Sequence, residues 1–504
     1  MNRVKIMTAA LAGLLSAASV SAQTYELPRV TPESEGVPSK SVIAYFSSVM
    51  GLPTTEIHSA MLMRHGKVIG EIYPAPFSAE YGHTLYSCSK TFTAAAVGLA
   101  ISENRLRLTD RVAAFFPELL PDTVSPWLAS MTVEDLLTMR SGFEVNGRVR
   151  TAEQEWVRSY LAVPVVAEPG TRFAYDSMDT YLLSAIVTKV TGMTVFDYLK
   201  PRLFEPLHIE KANWEYSPEN ITTGGWGLYL QAESLVKFGQ LLLNKGEWNG
   251  RQLIPASWVE QMMTVHAPTG GDSYCYQMWA CDHPNTVRAD GAYGQYIIVM
   301  PDEDMVAVIT QSATGDDGDR EQHFLFADLL PTISDEALPE SRDAQRLAEW
   351  QTDCRLPYAE GKASSPKASG YAGRYYQLEG NSLNWKGFSI SQTGKTLILT
   401  IDSEETGETP LDCGYRTWTE SSVPVVFPPN ARRSTLGSFS GFSAPFKASG
   451  SYGWKASDEL EVRIHFVDWM SGIDLTIHFD GDQPCLQAKI NFESEPVTVL
   501  FHAV

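Results

Sequence analysis

The chain has 504 residues, enough for one large domain and a second, smaller one. Hydrophobic residues make up 44% and charged residues 20%, which excludes a wholly disordered chain, a collagen-like chain and a long coiled coil. The formal net charge of −21 argues against nucleic-acid binding and against docking on an anionic membrane, both of which need clustered Lys and Arg.

Residues 1–22 form a separate object. Arg3 and Lys5 precede an apolar run over residues 6–20, and Val20-Ser21-Ala22 supplies small residues for cleavage. That is the pattern of a signal peptide, and the run is short for a spanning helix. The expectation is an exported, soluble protein with no membrane span after signal removal, periplasmic in the first instance and secreted as the alternative. All six cysteines lie beyond this segment: Cys88, Cys275, Cys281, Cys354, Cys413 and Cys485. Export permits disulfides, and buried free thiols fit equally well. No Cys/His spacing suits a zinc site.

Residues 23–58 carry Pro and Gly punctuation. Residues 60–64 and 67–73 then read as two strands joined at His65-Gly66. Residues 91–101 are Ala-rich and apolar, which predicts a buried helix that begins near Ser87 and ends near Glu103-Asn104. Thr132 caps a helix over residues 133–139, and helical spacing recurs over 178–190, 195–204 and 232–243. Residues 293–300 and 305–311 read as strands around an acidic turn. The range 23–332 is therefore an α/β (α+β) domain, an antiparallel sheet with flanking helices. Residues 333–369 are rich in Pro, Ser, Glu and Ala and read as a linker with one short helix. Residues 370–504 read as an all-β domain, barrel or sandwich, from alternating runs at 396–401, 460–466 and 475–479.

The chemistry concentrates in Ser87-Cys88-Ser89-Lys90. Residues i and i+3 share a helix face, so the Ser87 hydroxyl and the Lys90 amine can meet. A helix N-terminus favours a developing oxyanion, and a neutral Lys could take the Ser proton. Ser234-x-x-Lys237 and Ser364-x-x-Lys367 match the same tetrad, and only Ser87 opens an Ala-rich buried helix. Downstream, Pro169-Gly170 leads to Tyr175 in a loop before a helix, where a phenol near a Lys could move protons. Ala289-Asp290-Gly291-Ala292 opens a strand whose Ala292 N–H could join the Ser87 N–H as an oxyanion hole.

These three segments, in this order, resemble the serine β-lactamase and penicillin-binding-protein superfamily. The class C β-lactamase-like branch, with family VIII esterases and D-stereospecific peptidases, is the most similar. Arg64-His65-Gly66-Lys67, Leu136-Leu137-Thr138-Met139-Arg140-Ser141-Gly142 and Thr223-Gly224-Gly225-Trp226-Gly227 add to the resemblance, which spans residues 35–330. It implies Ser87 as the acylated nucleophile, Lys90 as its activating partner and Tyr175 as the proton shuttle. The Ser87 and Ala292 N–H groups would hold the oxyanion, and Ser177, Ala289, Asp290 and Gly291 would face the substrate. The substrate would be a small molecule, a short peptide or an ester. No metal or organic cofactor is implied.

Two positions depart from that pattern. The family's Tyr-x-Asn is Tyr175-Asp176-Ser177 here, and its Lys-Thr-Gly is Ala289-Asp290-Gly291. The cation that commonly engages a substrate carboxylate is missing, and strand alternation puts Arg288 on the face opposite Ala289. These changes favour an esterase or amidase for uncharged or amine-bearing substrates over a β-lactamase or a D-Ala peptidase. A non-catalytic binder or sensor on the same fold is the competing reading. In the β domain, Trp385, Trp418, Trp454 and Trp469 could stack on sugars, or be core. Cys88 is expected to be a buried thiol, and His65 and His83 to be turn or surface residues.

Overall fold

The computed structural model describes residues 27–145, 155–314, 320–425, 438–439 and 445–504; the expected signal segment lies outside the described residues. Strands Thr55–Arg64 and Lys67–Ile72 form the first hairpin. Its two-residue turn places His65 at φ 49° and Gly66 at φ 74°, the left-handed pair that matches strand twist. The hairpin joins a six-stranded sheet because Thr55–Arg64 pairs antiparallel with Met305–Ala313, with Ala60 opposite Ile309. Gln295–Met300, Val287–Gly291 and Trp279–Ala280 complete the sheet.

Both faces of this sheet are covered, so its inner strands read as unbroken apolar runs. Alternation divides them. Met61, Ile297, Val299, Val306 and Val308 face the helices that carry the Ser87 region, while Leu62, Ile298, Met300 and Ile309 face helix Ser39–Met50. Helix Ser89–Ser102 is buried on nearly every side, which explains its Ala-rich composition: large side chains would not fit between its neighbours. Gly98 shows the limit, since a Cβ there would lie 2.1 Å from the Trp258 indole.

Residues 333–369, read above as a linker, carry helix Arg342–Asp353, which lies against helix Ser39–Met50 with Trp350 stacked on Phe46 at 6.2 Å. Leu347, Cys354, Leu356 and Ala359 are buried as well. The stretch is polar because it is a surface strap held by a few apolar residues. Beyond it, the β domain is a barrel. Its sheet runs Gly407–Tyr415, Thr396–Ser403, Trp385–Thr393, Tyr375–Leu378, Val497–Ala503, Cys485–Ile490, Gly472–His478, Glu459–Phe466 and Phe446–Trp454. The ring closes where Gly407–Tyr415 pairs in parallel with Phe446–Trp454. Trp385, Trp454 and Trp469 are buried, and Trp418 packs edge-on against His465 at 4.9 Å. These rings are therefore packing residues.

The barrel is docked on the first domain. Phe77 of the first domain clusters with Leu356 and Val467. Glu56 accepts from Asn491 of the barrel at 2.9 Å and lies 3.2 Å from both His58 and His465. His83, expected in a turn or on the surface, is buried in strand His83–Thr84 and sits 2.9 Å from His58. A strand of two residues gave no alternating pattern by which to recognise its burial. All six cysteines are free thiols.

Candidate active site

Ser87 sits in a single 3-10 turn, Tyr86–Cys88, that runs directly into helix Ser89–Ser102. Tyr86 adopts φ 45°, an unusual conformation for a side chain of its size, and it swings the chain sharply into the helix. Lys90 follows one turn later. Its side chain is 1% exposed, and its amine lies 2.8 Å from the Ser87 hydroxyl. The same amine reaches the Ser177 hydroxyl at 2.9 Å and the Gly225 carbonyl at 2.6 Å. Three oxygens thus surround the amine, matching the three N–H bonds of an ammonium, and two of the three are hydroxyls that could donate instead.

Each of these oxygens arrives on a different element. Ser177 is the first residue of helix Ser177–Thr191, whose N-cap, Asp176, accepts from the Met178 N–H at 2.9 Å. One turn in, Asp179 is fully buried and accepts from the Tyr160 hydroxyl at 2.8 Å; burial and nearby Asp176 push its carboxyl well above the usual range. Gly225 lies in the loop Thr223-Gly224-Gly225-Trp226. A Cβ on Gly225 would lie 2.6 Å from the Ser177 carbonyl oxygen, so only glycine lets this loop approach the lysine.

Tyr175 stands over the amine, with the Lys90 nitrogen 4.9 Å from its ring centre. Its phenol is on the Ser87 side of the amine, near enough for the serine hydroxyl to affect its titration. Burial raises its pKa, the Ser87 hydroxyl pulls the other way, and the Asp290 carboxylate raises it again. The phenol is therefore protonated at neutral pH. Its ring is held by Trp279 at 5.6 Å and Tyr274 at 6.1 Å.

The strand Val287–Gly291 passes beside the Ser87 turn. A Cβ on Gly291 would lie 2.3 Å from the Leu85 carbonyl oxygen, which makes this the closest approach of the strand to the turn. The chain then reverses through a turn closed by the Gly294 N–H on the Gly291 carbonyl at 3.1 Å, a bond that does not use the Ala292 N–H. The Ser87 N–H likewise belongs to the first turn of its helix, where no intrahelical acceptor exists. Ala289 is buried in the core with Ile297 and Val299. Asp290 lies on the Arg288 side and is held by it at 2.9 Å. Arg288 is also paired with Asp272 at 2.6 Å, so two carboxylates neutralise one buried guanidinium. Cys88 is fully buried and donates to the Gln295 carbonyl at 3.1 Å; burial drives its thiol pKa well up. The other two Ser-x-x-Lys matches lie elsewhere: Lys237 pairs with Glu233 and Lys367 with Asp480.

Gln277 carries a role that its sequence neighbourhood did not suggest. Its side chain donates to the Leu136 and Leu137 carbonyls at 3.2 and 2.9 Å and accepts from Thr180, while its own carbonyl accepts from Thr91 at 3.0 Å. It ties the Ser87 helix to the Ser177 helix and to the segment after Thr132. The only sequence signal was a polar residue inside an aromatic run, Tyr274-Cys275-Tyr276-Gln277-Met278-Trp279.

Comparisons with known proteins give the chain's family and fold. A family model described as Beta-lactamase matches residues 58–330. The 6-aminohexanoate-dimer hydrolase of Paenarthrobacter ureafaciens is 24% identical over 305 residues, covering 54% of this chain and 77% of the relative. A Beta-lactamase of Escherichia coli is 27% identical over 146 residues, covering 28% of this chain and 37% of that protein. Among solved structures, a family VIII carboxylesterase superposes with a TM-score of 0.50 at 14% identity, covering 61% of this chain and 100% of that one.

Proposed function

The chain belongs to the beta-lactamase family of hydrolases, and from that premise we propose that it is a serine acyl-hydrolase working through an acyl-enzyme on Ser87. The observation that carries the reading is the Lys90 amine, buried and within 2.8 Å of the Ser87 hydroxyl under the Tyr175 ring. Two of the three oxygens around this amine are hydroxyls, and one of them is Ser87, so a proton can pass between the serine and the amine with no movement of either side chain.

In the proposed cycle the neutral Lys90 amine takes the Ser87 proton as the serine oxygen attacks the substrate carbonyl. The carbonyl oxygen becomes an oxyanion between the Ser87 and Ala292 N–H groups. Tyr175, protonated because it is buried, donates its phenol proton to the departing oxygen or nitrogen. Lys90 then returns its proton to the phenolate. Water repeats the sequence on the acyl-enzyme, releasing the acid and restoring Ser87. Ser177 and the Gly225 carbonyl position the amine throughout.

Charge shapes the substrate reading. Arg288 is already neutralised by Asp272 and Asp290, and Ala289 offers no cation. Neutral or amine-bearing esters and amides are therefore favoured over substrates that carry a carboxylate. Export to the periplasm is part of the proposal through the N-terminal segment. The test is intact mass after brief fluorophosphonate treatment, followed by kinetics on a neutral ester, a penicillin and a D-Ala-D-Ala peptide. A single adduct absent from Ser87→Ala, with the neutral ester turned over fastest, is expected. Folded protein without an adduct would support the non-catalytic binder; faster turnover of either carboxylate substrate would overturn the preference.

A further inference from the structure

Two turns bring the proposed oxyanion donors together, and both depart from ordinary backbone geometry at a tyrosine. Tyr86, immediately before Ser87, has φ 45°, and Tyr293, immediately after Ala292, has φ 66°. Left-handed backbone at a bulky residue is strained, and it persists only where the surroundings hold it. Here the two side chains hold each other: their rings meet edge to face at 5.2 Å. The second ring is in turn packed on Phe492, at 5.1 Å.

Phe492 does not belong to the catalytic domain. It lies between barrel strands Cys485–Ile490 and Val497–Ala503 and is 5% exposed. Its neighbour Asn491 fixes this hairpin twice. The Asn491 amide donates to Glu56 of the first domain at 2.9 Å, and its carbonyl accepts from the Gly472 N–H at 2.9 Å. A barrel hairpin is thus locked to the first domain beside the site, with the Phe492 ring against the residue that follows Ala292.

We propose that Phe492 is a positioning residue: the barrel hairpin, through the Phe492–Tyr293–Tyr86 ring contacts, sets the spacing and aim of the Ala292 and Ser87 N–H groups. The inference rests on the acyl-hydrolase reading above. The barrel then has a defined task in the reaction, which is to hold two strained turns in register. Donor alignment matters in the transition state more than in substrate binding, so the effect falls on kcat and not on KM.

The test uses the full chain with Phe492→Leu and Phe492→Ala. Each is assayed with a neutral ester and with an aryl boronic acid, whose adduct with Ser87 places an oxygen between the two N–H groups. Removing a whole oxyanion donor costs about 100- to 1,000-fold in kcat, so misaiming the pair is expected to cost about threefold in the Leu variant and tenfold or more in the Ala variant. KM stays within about twofold, and boronate affinity falls in step with kcat. Phe388→Leu, in the barrel core away from the site, lowers the melting temperature and leaves kcat unchanged. Should Phe492→Ala fail to fold, the Leu variant decides. A folded variant with unchanged kcat, or a kcat loss without loss of boronate affinity, would overturn the proposal. Wild-type protein inert to ester and boronate alike would instead sink the hydrolase reading.

Discussion

Replacing Gly225 by Ala tests the lysine's environment with a single methyl group. The glycine has ordinary backbone angles, so alanine meets no conformational obstacle there. The obstacle is contact. The new Cβ would lie 2.6 Å from the Ser177 carbonyl oxygen, where ordinary contact begins near 3.4 Å. About 0.8 Å must be found by movement. The Ser177 carbonyl belongs to the first turn of a 15-residue helix and cannot yield alone. The loop therefore moves, and it takes with it the carbonyl that holds the Lys90 amine at 2.6 Å. Displacements near 1 Å at a catalytic group cost about 100-fold in rate, and the overpacking costs about 1–3 kcal/mol of stability. Ester hydrolysis, the rate of fluorophosphonate labelling and thermal melts read the two effects separately. Gly370→Ala is the control, since nothing lies within 4 Å of the Cβ it adds. Folded Gly225→Ala that labels and turns over at the wild-type rate would refute the claim that this carbonyl positions Lys90.

Asp290→Asn removes a charge that raises the Tyr175 pKa, so the alkaline limb of the kcat/KM profile should move to lower pH, by less than about one unit. The same change leaves Arg288 with one carboxylate instead of two, and esters bearing a carboxylate should gain relative to neutral ones. Cys88, whose thiol pKa burial holds high, should resist iodoacetamide in folded protein that still reacts with fluorophosphonate; Cys88→Ala should keep labelling and lose about 1 kcal/mol of stability. At the domain junction, burial holds both His58 and His83 below the usual imidazole range, with Glu56 opposing it at His58 and each facing a further histidine. Their depressed values make folded protein bind fewer protons than unfolded protein below about pH 6.5, so stability falls as pH drops from there. His83→Gln keeps a hydrogen-bonding side chain and should give a shallower loss between pH 7 and 5 in guanidinium melts. An unchanged slope would mean that this pair does not carry the acid sensitivity.

What the sequence disclosed about the site was what lies close together along the chain. Ser87 and Lys90 are three residues apart, and one helical turn brings them to 2.8 Å. The hairpin at His65-Gly66 and the helix capped by Thr132 and Asp135 were equally local. Groups that converge over long separations came only through the resemblance, which named Tyr175 and Ser177, and what stayed hidden was that Ser177 and Gly225, 87 and 135 positions away, meet at the Lys90 amine. The same holds for the strap at residues 333–369, whose polar composition concealed Leu347 and Trp350, and for His83, buried beside His58 in a two-residue strand too short to show an apolar pattern.

The separation has a physical reason that also bears on how such a site is built. Ser87 and Lys90 lie in one continuous stretch, a 3-10 turn running into a helix, so their spacing is set by local backbone geometry and tolerates change elsewhere. The groups that tune them come from three other elements and from the barrel, each fixed by contacts that could be altered one at a time. Lys90 is held by a loop that glycine alone lets close, Tyr175 by aromatic rings, and the oxyanion turns by a hairpin of the second domain. The departures at Ser177 and at Ala289-Asp290-Gly291 fall in this outer set, while Ser87, Lys90 and Tyr175 are unchanged. On the proposed mechanism two of these departures still reach the proton path: Ser177 contacts the Lys90 amine at 2.9 Å, and the Asp290 carboxylate raises the Tyr175 pKa. Substrate preference and proton transfer would therefore be tuned together by the same side chains.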